Sequence, residues 1–320
     1  MPIIKWGHLT EIVPVNWLWK PFIPYGKVTI VEGDPGEGKT TLILTIAAML
    51  SNGQIAPSLV RGNLVNEPDC SPANVFYLTN EDEVADTSLV RYLRAGGIAS
   101  RFAYSAELQE HMTLTEENLL TVIADSNCHL LIVDPFQSFL PEGTSIGSIT
   151  KMRTVFTSLS NVAKKTGVAV VLVGHLNKSE GSKDIHRGFG SADIAAAVRS
   201  ILMVEMSKNN RELRWVRSIK CNFDESDYTP IRLVLDEDRK LSFAEFKNIE
   251  PEQITSKTKI EKAKQILIEL LKTESMTIDA IFTDCDAYGI GDRTVRRAAR
   301  ELGIISRSSE NGTTWELPRN

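Results

Sequence analysis

A glycine-rich segment, Gly33 to Thr40, constrains the fold of this chain more than any other feature. It reads Gly-Asp-Pro-Gly-Glu-Gly-Lys-Thr and matches the pattern G-x-x-x-x-G-K-[ST] in full. Residues 27–32 (KVTIVE) just before it predict a buried strand, and residues 40–50 (TTLILTIAAML) predict a helix. The segment is therefore expected to be the turn between a strand and a helix in an α/β fold.

The residues of this turn are those of a phosphate-binding loop. Glycines let the backbone bring its N–H groups close to phosphate oxygens, and the N-terminus of the following helix also attracts an anion. We predict that Lys39 contacts the β and γ phosphates and that the Thr40 hydroxyl binds Mg²⁺. The residues predicted to contact a nucleoside triphosphate are Gly33, Asp34, Pro35, Gly36, Glu37, Gly38, Lys39, Thr40 and Thr41.

Length and composition limit the classes of protein to which this chain can belong. Its 320 residues, 42% hydrophobic and 24% charged, suit one large domain and one small one. The longest apolar run, Leu42 to Leu50, is too short to span a membrane, and the N-terminal residues lack a secretory signal. The four cysteines lie far apart, so neither a zinc site nor a disulfide framework is indicated. We expect a cytoplasmic protein with reduced cysteines.

Strand and helix patterns alternate after the phosphate loop. Continuous apolar runs are typical of parallel strands that helices cover on both faces, and short strands beyond Asn209 suit an antiparallel extension. The sequence therefore predicts an α/β fold with a mostly parallel central sheet. The predicted strands are 27–32, 74–79, 129–134, 168–174, 199–206, 213–219, 231–235 and 241–243, and the predicted helices are 83–95, 116–126 and 149–166.

A separate C-terminal unit is predicted at 258–320, after a polar linker at 248–257 and a large domain at 1–247. Its patterns suit a winged helix-turn-helix, with a buried Trp315 in the terminal hairpin. The predicted helices are 258–272, 277–288 and 292–302, and the predicted strands are 304–307 and 313–317.

The third helix of this unit carries an arginine stripe. The arginines recur at three- and four-residue spacing, so they share one helix face that suits duplex DNA. They are Arg293, Arg296, Arg297 and Arg300. A protein-binding role is the alternative, and the net charge of −5 means that any contact with nucleic acid depends on local basic patches such as this one.

Carboxylates at predicted strand ends supply the other groups that phosphoryl transfer needs. Asp134 follows a buried strand, at the edge where open α/β sheets bind ligands, so we predict that it holds Mg²⁺. The alternative is an aspartate that only begins the turn at Pro135. Glu81 ends another such strand and is our candidate general base, with Asp82 as the alternative.

This arrangement resembles the RecA-like ATPase superfamily, and within it the RepA-like branch of single-core hexameric helicases from bacteria, phages and plasmids. The similarity covers most of residues 10–245. The motifs that carry it are Trp17-Leu18-Trp19, the phosphate loop, Asn80-Glu81-Asp82, Arg91-Tyr92-Leu93, Asp134-Pro135, and residues 174–178 (GHLNK), 187–191 (RGFGS) and 197–199 (AVR).

The resemblance assigns roles to several of these residues. It implies that Glu81 is the catalytic glutamate, that His175 is a γ-phosphate sensor, and that Arg199 enters the nucleotide site of a neighbouring subunit. Arg187 and Lys220 are alternatives for this trans-acting cation. Arg199 is otherwise an ordinary arginine at a strand start, paired with Asp193 or Glu205.

Two segments, 141–150 and 177–191, follow the strands that end at Asp134 and His175. In RecA-like rings such loops line a central channel and hold single-stranded DNA, and the alternative is a pair of solvated loops. The basic residues of the second segment are Lys178, Lys183 and Arg187.

These features together lead to two hypotheses about function. The first is a Mg²⁺-dependent ATPase that forms a homo-oligomer, expected to be a hexamer, and couples ATP hydrolysis to movement on DNA in replication or recombination. The second is an ATP-switched DNA-binding protein that does not translocate. Neither hypothesis involves a membrane.

Overall fold

The computed structural model describes residues 12–60, 63–81, 83–105, 112–144, 148–174, 198–207, 210–223, 230–244, 258–272, 275–309 and 312–318. The predicted linker at 248–257 and the loop at 177–191 lie outside these ranges.

The N-terminal part of the chain alternates strands and helices. Its strands are β1 (Trp17–Trp19), β2 (Ile23–Pro24), β3 (Val28–Glu32), β4 (Ser58–Val60), β5 (Asn63–Val65), β6 (Asn74–Leu78), β7 (Phe102–Ala103), β8 (Cys128–Val133), β9 (Ala169–Val173), β10 (Ser200–Met206), β11 (Leu213–Cys221), β12 (Ile231–Leu235) and β13 (Leu241–Ala244). Its helices are α1 (Lys39–Ser51), α2 (Ser88–Arg94), α3 (Glu116–Ser126) and α4 (Ile149–Thr166).

Within the described residues, nine of these strands form the central sheet, in the order β13-β12-β11-β10-β3-β9-β8-β6-β7. Strands β10, β3, β9, β8, β6 and β7 run parallel, whereas β11, β12 and β13 pair antiparallel at one side. The predicted fold class is therefore confirmed. Because the parallel strands end at one edge, the segments after β3, β6 and β8 come together there.

Helices cover both faces of the sheet. Successive side chains of a strand point to opposite faces, so Val31 packs in the cluster that includes α1, and Ile30 packs in the cluster that includes α3 and α4. The same alternation separates Ile132 from Leu131 in β8. Burial on both faces explains why these strands appear in the sequence as continuous apolar runs.

The C-terminal unit contains three helices and a small sheet. The elements are α5 (Lys259–Leu270), β14 (Met276–Thr277), α6 (Ile278–Ala287), α7 (Asp292–Glu301), β15 (Ile305–Ser309) and β16 (Gly312–Glu316). Trp315 is buried, as predicted, and meets the Phe282 ring edge-on with 5.8 Å between centroids. The Thr258 and Thr277 side chains cap the N-termini of α5 and α6.

Trp215 of β11 connects the central sheet to the C-terminal unit. Its side chain is 1% exposed and belongs to the apolar cluster of that unit, together with Ile266 and Phe282. Its neighbour Val216 belongs instead to the cluster that includes α1. The C-terminal unit therefore packs on the face of β11 that points away from α1.

The structure adds elements that were not predicted and shortens one that was. Helix α2 begins at Ser88 rather than at residue 83, because residues 84–87 form turns. The hairpins β1-β2 and β4-β5 were not predicted. None of the four cysteines, all in the described ranges, forms a disulfide. Among the described helices, none is both long and apolar enough to cross a bilayer.

Candidate nucleotide-binding site

Glycine is required at several positions of the loop between β3 and α1. Gly36 and Gly38 have φ values of 84° and 95°, in the left-handed region that side chains rarely adopt. A Cβ atom on Gly33 would lie 2.3 Å from the carbonyl oxygen of Val204 in β10. The loop is therefore the strand-to-helix turn that the sequence predicts.

Lys39 begins α1 and lies over the loop. The residue is 4% exposed, and its Nζ donates to the carbonyl oxygens of Gly33 at 2.8 Å and Asp34 at 2.9 Å. Burial lowers the pKa of the Lys39 ammonium, while nearby carboxylates, Asp134 first, act in the opposite direction. The lysine thus places a buried positive charge at the centre of the loop.

Thr40 and Asp134 meet beside this lysine. The Thr40 hydroxyl donates to Asp134 Oδ2 at 2.6 Å, and the buried Tyr77 hydroxyl donates to the same oxygen at 3.1 Å. Burial raises the pKa of Asp134, whereas these two hydrogen bonds lower it. Burial and the nearby Asp134 charge raise the pKa of Tyr77. The carboxylate is therefore oriented by two hydroxyl groups from different elements.

A cavity of about 380 Å³ opens over the loop. The carboxylates in its lining are Glu81 and Asp134. The basic residues in its lining are Lys39, Arg91, Arg94, Arg214, Arg239 and Lys240. This excess of positive charge suits a polyanionic ligand.

Several residues that line this cavity or contact its lining have no predicted role in the sequence. Tyr77 is one more aromatic residue in an apolar strand, and Arg214 lies far from the phosphate loop along the chain. Arg91 belongs to a motif of the resemblance, but no function was assigned to it. Arg239 is one of the non-glycine residues with positive φ, at 61°, in the turn between β12 and β13. Only the strand order brings these side chains to the loop.

Glu37, inside the loop, contacts the neighbouring strand. Its Oε2 accepts a hydrogen bond from the backbone N–H of Met206, at the end of β10. Burial, followed by the nearby Asp34 and Glu205, raises the pKa of Glu37 to about 7, although Arg214 and Lys39 act against this rise. This part of the loop therefore carries a carboxyl group that titrates near neutral pH.

One of the other residues predicted to act on ATP or DNA lines the cavity, and several lie outside the described ranges. Glu81 is exposed and lines the cavity. The residues that lie outside the described ranges are Asp82, His175, Lys178, Lys183 and Arg187.

The two described candidates for the trans-acting cation lie near each other, away from the loop. Arg199 is exposed just before β10, and Lys220 is half-buried in β11. Burial and the nearby Arg199 lower the pKa of Lys220. Glu205, the described candidate partner of Arg199, is bound by Arg217 at 2.8 Å. Neither Arg199 nor Lys220 is among the described residues that line the cavity of their own chain.

The arginines of α7 lie on its outer face. Val295 and Ala298 on the opposite face are buried. The exposed arginines are Arg293, Arg296, Arg297 and Arg300. The Arg296 guanidinium lies 4.7 Å above the Phe282 ring, and Arg297 Nε donates to Glu301 at 2.9 Å.

The part of the chain that contains the phosphate loop is similar to known proteins. The AAA_25 family model, described as an AAA domain, matches residues 5–181. The DNA repair protein RadA of Brucella abortus is 32% identical over 159 residues, which are 48% of this chain and 29% of the relative. RadA of Streptococcus pneumoniae is 27% identical over 171 residues, 53% of this chain and 34% of the relative. The chain thus spans about a third or less of the length of these relatives.

Two solved structures overlap with part of this chain. The RadB recombinase has a TM-score of 0.49 at 18% identity, covering 70% of this chain and 93% of the recombinase. A KaiC-like protein from Pyrococcus horikoshii has a TM-score of 0.49 at 16% identity, covering 72% of this chain and all of the other.

The family match and the observed site agree on the class of protein. The match covers more than half of the chain and includes the phosphate loop, α1, β6 and β8. The parallel sheet places the loop at the carboxyl end of β3, beside Asp134. The chain therefore belongs to the AAA_25 family, which is described as an AAA domain, and carries a phosphate loop at the carboxyl end of a parallel strand.

Proposed function

We propose that this protein binds ATP with Mg²⁺ in the cavity over the phosphate loop, hydrolyses it, and couples hydrolysis to action on DNA as a homo-oligomer. One observation carries the catalytic part of this proposal. The Thr40 hydroxyl is hydrogen-bonded to Asp134 beside Lys39, and Glu81 lines the same cavity. Three separate chain segments thus bring together the groups that phosphoryl transfer requires.

The donor set fits Mg²⁺. A hydroxyl and a carboxylate are hard oxygen donors, and Mg²⁺ in ATPase sites is held by one or two carboxylates together with substrate phosphates. In the described part of the chain, no group of three or more His, Cys, Asp or Glu side chains forms a separate metal cage. Thr40 and Asp134 would hold the ion, and bound Mg²⁺ would neutralise charge on the phosphate oxygens.

The remaining catalytic work belongs to side chains of the protein. Lys39 turns from the carbonyl oxygens of Gly33 and Asp34 to the β and γ phosphates. Glu81 orients the attacking water and accepts its proton. Tyr77 holds the Asp134 carboxylate in place. His175 is proposed as the γ-phosphate sensor.

The trans-acting cation completes the proposed site. We assign it to Arg199 of a neighbouring subunit, with Arg187 and Lys220 as alternatives. A cation from another subunit stabilises charge in the transition state, so hydrolysis depends on assembly. The hexamer, by resemblance to RepA-like helicases, is the proposed assembly.

Action on DNA is supported by similarity and by charge. The matched relatives are named as DNA repair proteins, and we extend this role to the chain from that similarity. We propose a domain division of 1–247 for the ATPase, 248–257 for a linker and 258–320 for a winged helix-turn-helix. The exposed arginines of α7 would contact duplex DNA, and Lys178, Lys183 and Arg187 would contact single-stranded DNA.

A second candidate function is an ATP-switched DNA-binding protein that does not translocate. The contact between Trp215 and the C-terminal unit favours it, because Trp215 adjoins Arg214, which lines the nucleotide cavity. In this candidate, nucleotide binding changes how the C-terminal unit engages duplex DNA.

The experiment that tests both candidates is an ATPase assay with and without single-stranded DNA, combined with duplex binding in ATP and ADP. A motor shows hydrolysis that single-stranded DNA stimulates, and neutralising Lys178, Lys183 and Arg187 abolishes the stimulation. A switch shows duplex affinity that depends on the nucleotide and on Arg293 and Arg300, without such stimulation. Absence of Mg²⁺-dependent hydrolysis under all these conditions would contradict the proposed enzymatic function.

Matched variants connect the assay to the site. Lys39→Ala is expected to lose ATP binding, whereas Glu81→Gln keeps binding and loses hydrolysis by about 10²- to 10⁴-fold. Turnover that persists in Glu81→Gln would move the general base to Asp82.

A further inference from the structure

Arg214 is a buried cation beside the phosphate loop. It lies in β11, is 6% exposed, and its Nε stands 3.3 Å from the position that a Cβ on Gly38 would occupy. Its Nη1 donates to the carbonyl oxygens of Arg211 and Leu213, the latter at 3.1 Å. Its Nε is buried and has no hydrogen-bond partner in the described ranges.

A buried donor of a charged group that lacks a hydrogen-bond partner is unfavourable, because it has lost its contact with water and gained nothing in return. Among the described residues, Glu37 is the carboxyl group whose charge acts on Arg214, and the pKa of Glu37 is raised to about 7, so it balances the charge only in part. Arg239 adds a second positive charge nearby. The local charge therefore favours binding of an anion.

The position of Arg214 indicates that the anion would lie in the cavity over the phosphate loop. Arg214 lines the same cavity as Lys39, Thr40 and Asp134. In the sheet, β8 with Asp134 at its end lies two strands from β3 on one side, and β11 lies two strands from β3 on the other. The two side chains thus approach the loop from opposite sides. A residue that only braced the loop would have its donors satisfied by protein groups.

We propose that Arg214 is a nucleotide-binding residue that acts in cis, and that its Nε edge donates to a phosphate oxygen of the nucleotide bound to the same chain. The guanidinium fork suits a phosphate, and a hydrogen bond between two charged groups is stronger than a neutral one. This inference rests on the proposed binding of ATP and adds a phosphate contact from the antiparallel strands. It is separate from the cation expected from a neighbouring subunit.

The test measures the affinities of ATP, ADP and adenosine for the wild type, Arg214→Gln, Arg214→Lys and the control Arg211→Gln. Arg211 is exposed in the adjacent turn and does not line the loop cavity in the described structure. We expect Arg214→Gln to weaken ATP and ADP binding about 10- to 100-fold and to leave adenosine binding unchanged. Arg214→Lys retains the charge and is expected to be intermediate. Arg211→Gln is expected to bind all three ligands like the wild type.

The thermal unfolding midpoint of each ligand-free variant separates binding from folding. If Arg214→Gln does not fold, the folded Arg214→Lys variant decides the question by its ratio of ATP to adenosine affinity. Wild-type affinity for ATP and ADP in a folded variant, or an equal loss for adenosine, would make Arg214 a structural brace and overturn the inference. Failure of the wild type to bind ATP would instead refute the proposed function.

Discussion

Among single residues, Glu37 gives the phosphate loop a charge that depends on pH. Burial, Asp34 and Glu205 raise its pKa to about 7, so the carboxyl group loses its negative charge as the pH falls from 8 to 6. Arg214 and Lys39 then face the bound phosphates with less compensation. We predict that ATP affinity rises by up to about tenfold over this range, measured by equilibrium titration.

The control for this prediction is Glu37→Gln, which has no titrating group at this position. The γ-phosphate of ATP also titrates in this range, so the difference between the two proteins is the relevant quantity. An identical pH dependence in both would contradict the assignment to Glu37.

Glu32 provides a prediction about stability. It is the last residue of β3 and is 4% exposed, and burial raises its pKa to about 8. Because burial raises the folded pKa from the ordinary 4.5 to about 8, the contribution of Glu32 to stability is complete below pH 4.5 and is lost progressively as the pH rises from there to about 8. We predict that Glu32→Gln stabilises the protein at pH 9 by on the order of 4 kcal/mol relative to its effect at pH 5.

Denaturant titrations of both proteins at the two pH values test this prediction. A stability difference that is the same at pH 5 and pH 9 would show that Glu32 does not titrate between them.

The sequence predicts that some residues belong to the site and gives no sign of others. Lys39 and Thr40 belong to a local motif, and Asp134 follows a recognisable strand, so all three were predicted. Tyr77 and Arg214 depend on which strands become neighbours, and a single sequence contains no local signal of that order. Their contributions appear only once the sheet is assembled.

At the scale of elements, the long apolar patterns in the sequence predicted the longer strands and helices but not the short ones. Helices α1, α3 and α4 and the parallel strands other than β7 follow from their apolar patterns, because each has enough residues to show one. Strand β7 has two residues and was not predicted. The pairs β1-β2 and β4-β5 have strands of two or three residues, too short for a pattern. The beginning of α2 was misplaced because residues 84–87 form turns ahead of it.

Strand β11 gives a prediction at the scale of elements. Trp215 is fully buried in the cluster that includes Ile266 and Phe282. Removing such a side chain typically costs about 3–5 kcal/mol. We predict that Trp215→Ala destabilises the contact between β11 and the C-terminal unit by this amount, measured by chemical denaturation and limited proteolysis near residues 248–257.

Ser242→Ala on the exposed side of β13 is the matched control and is expected to unfold like the wild type. An unchanged unfolding midpoint in Trp215→Ala would show that the two parts of the chain are not joined through this side chain.

For the whole molecule, the proposed sharing of sites between subunits predicts complementation. Lys39→Ala subunits lack a functional phosphate loop but retain Arg199, and Arg199→Ala subunits have the reverse defect. Mixing them should create some interfaces with both groups intact and restore part of the wild-type ATPase activity, which neither variant has alone. The measurement is the ATPase rate across a series of mixing ratios.

Mixtures that remain as inactive as their components would exclude Arg199 as the trans-acting cation. The same experiment repeated with Arg187→Ala and Lys220→Ala would then identify the donor.

Because β11 makes contacts on both of its faces, its length cannot change freely. Arg214 faces the phosphate loop and Trp215 faces the C-terminal unit because neighbouring side chains of a strand alternate. One residue inserted before Arg214 would exchange the two faces, placing the guanidinium in the apolar cluster of the C-terminal unit and the indole on the face that points toward α1. A change in length inside β11 would therefore disrupt the contact at the loop and the contact at the C-terminal unit together, so the length of this strand is fixed by both.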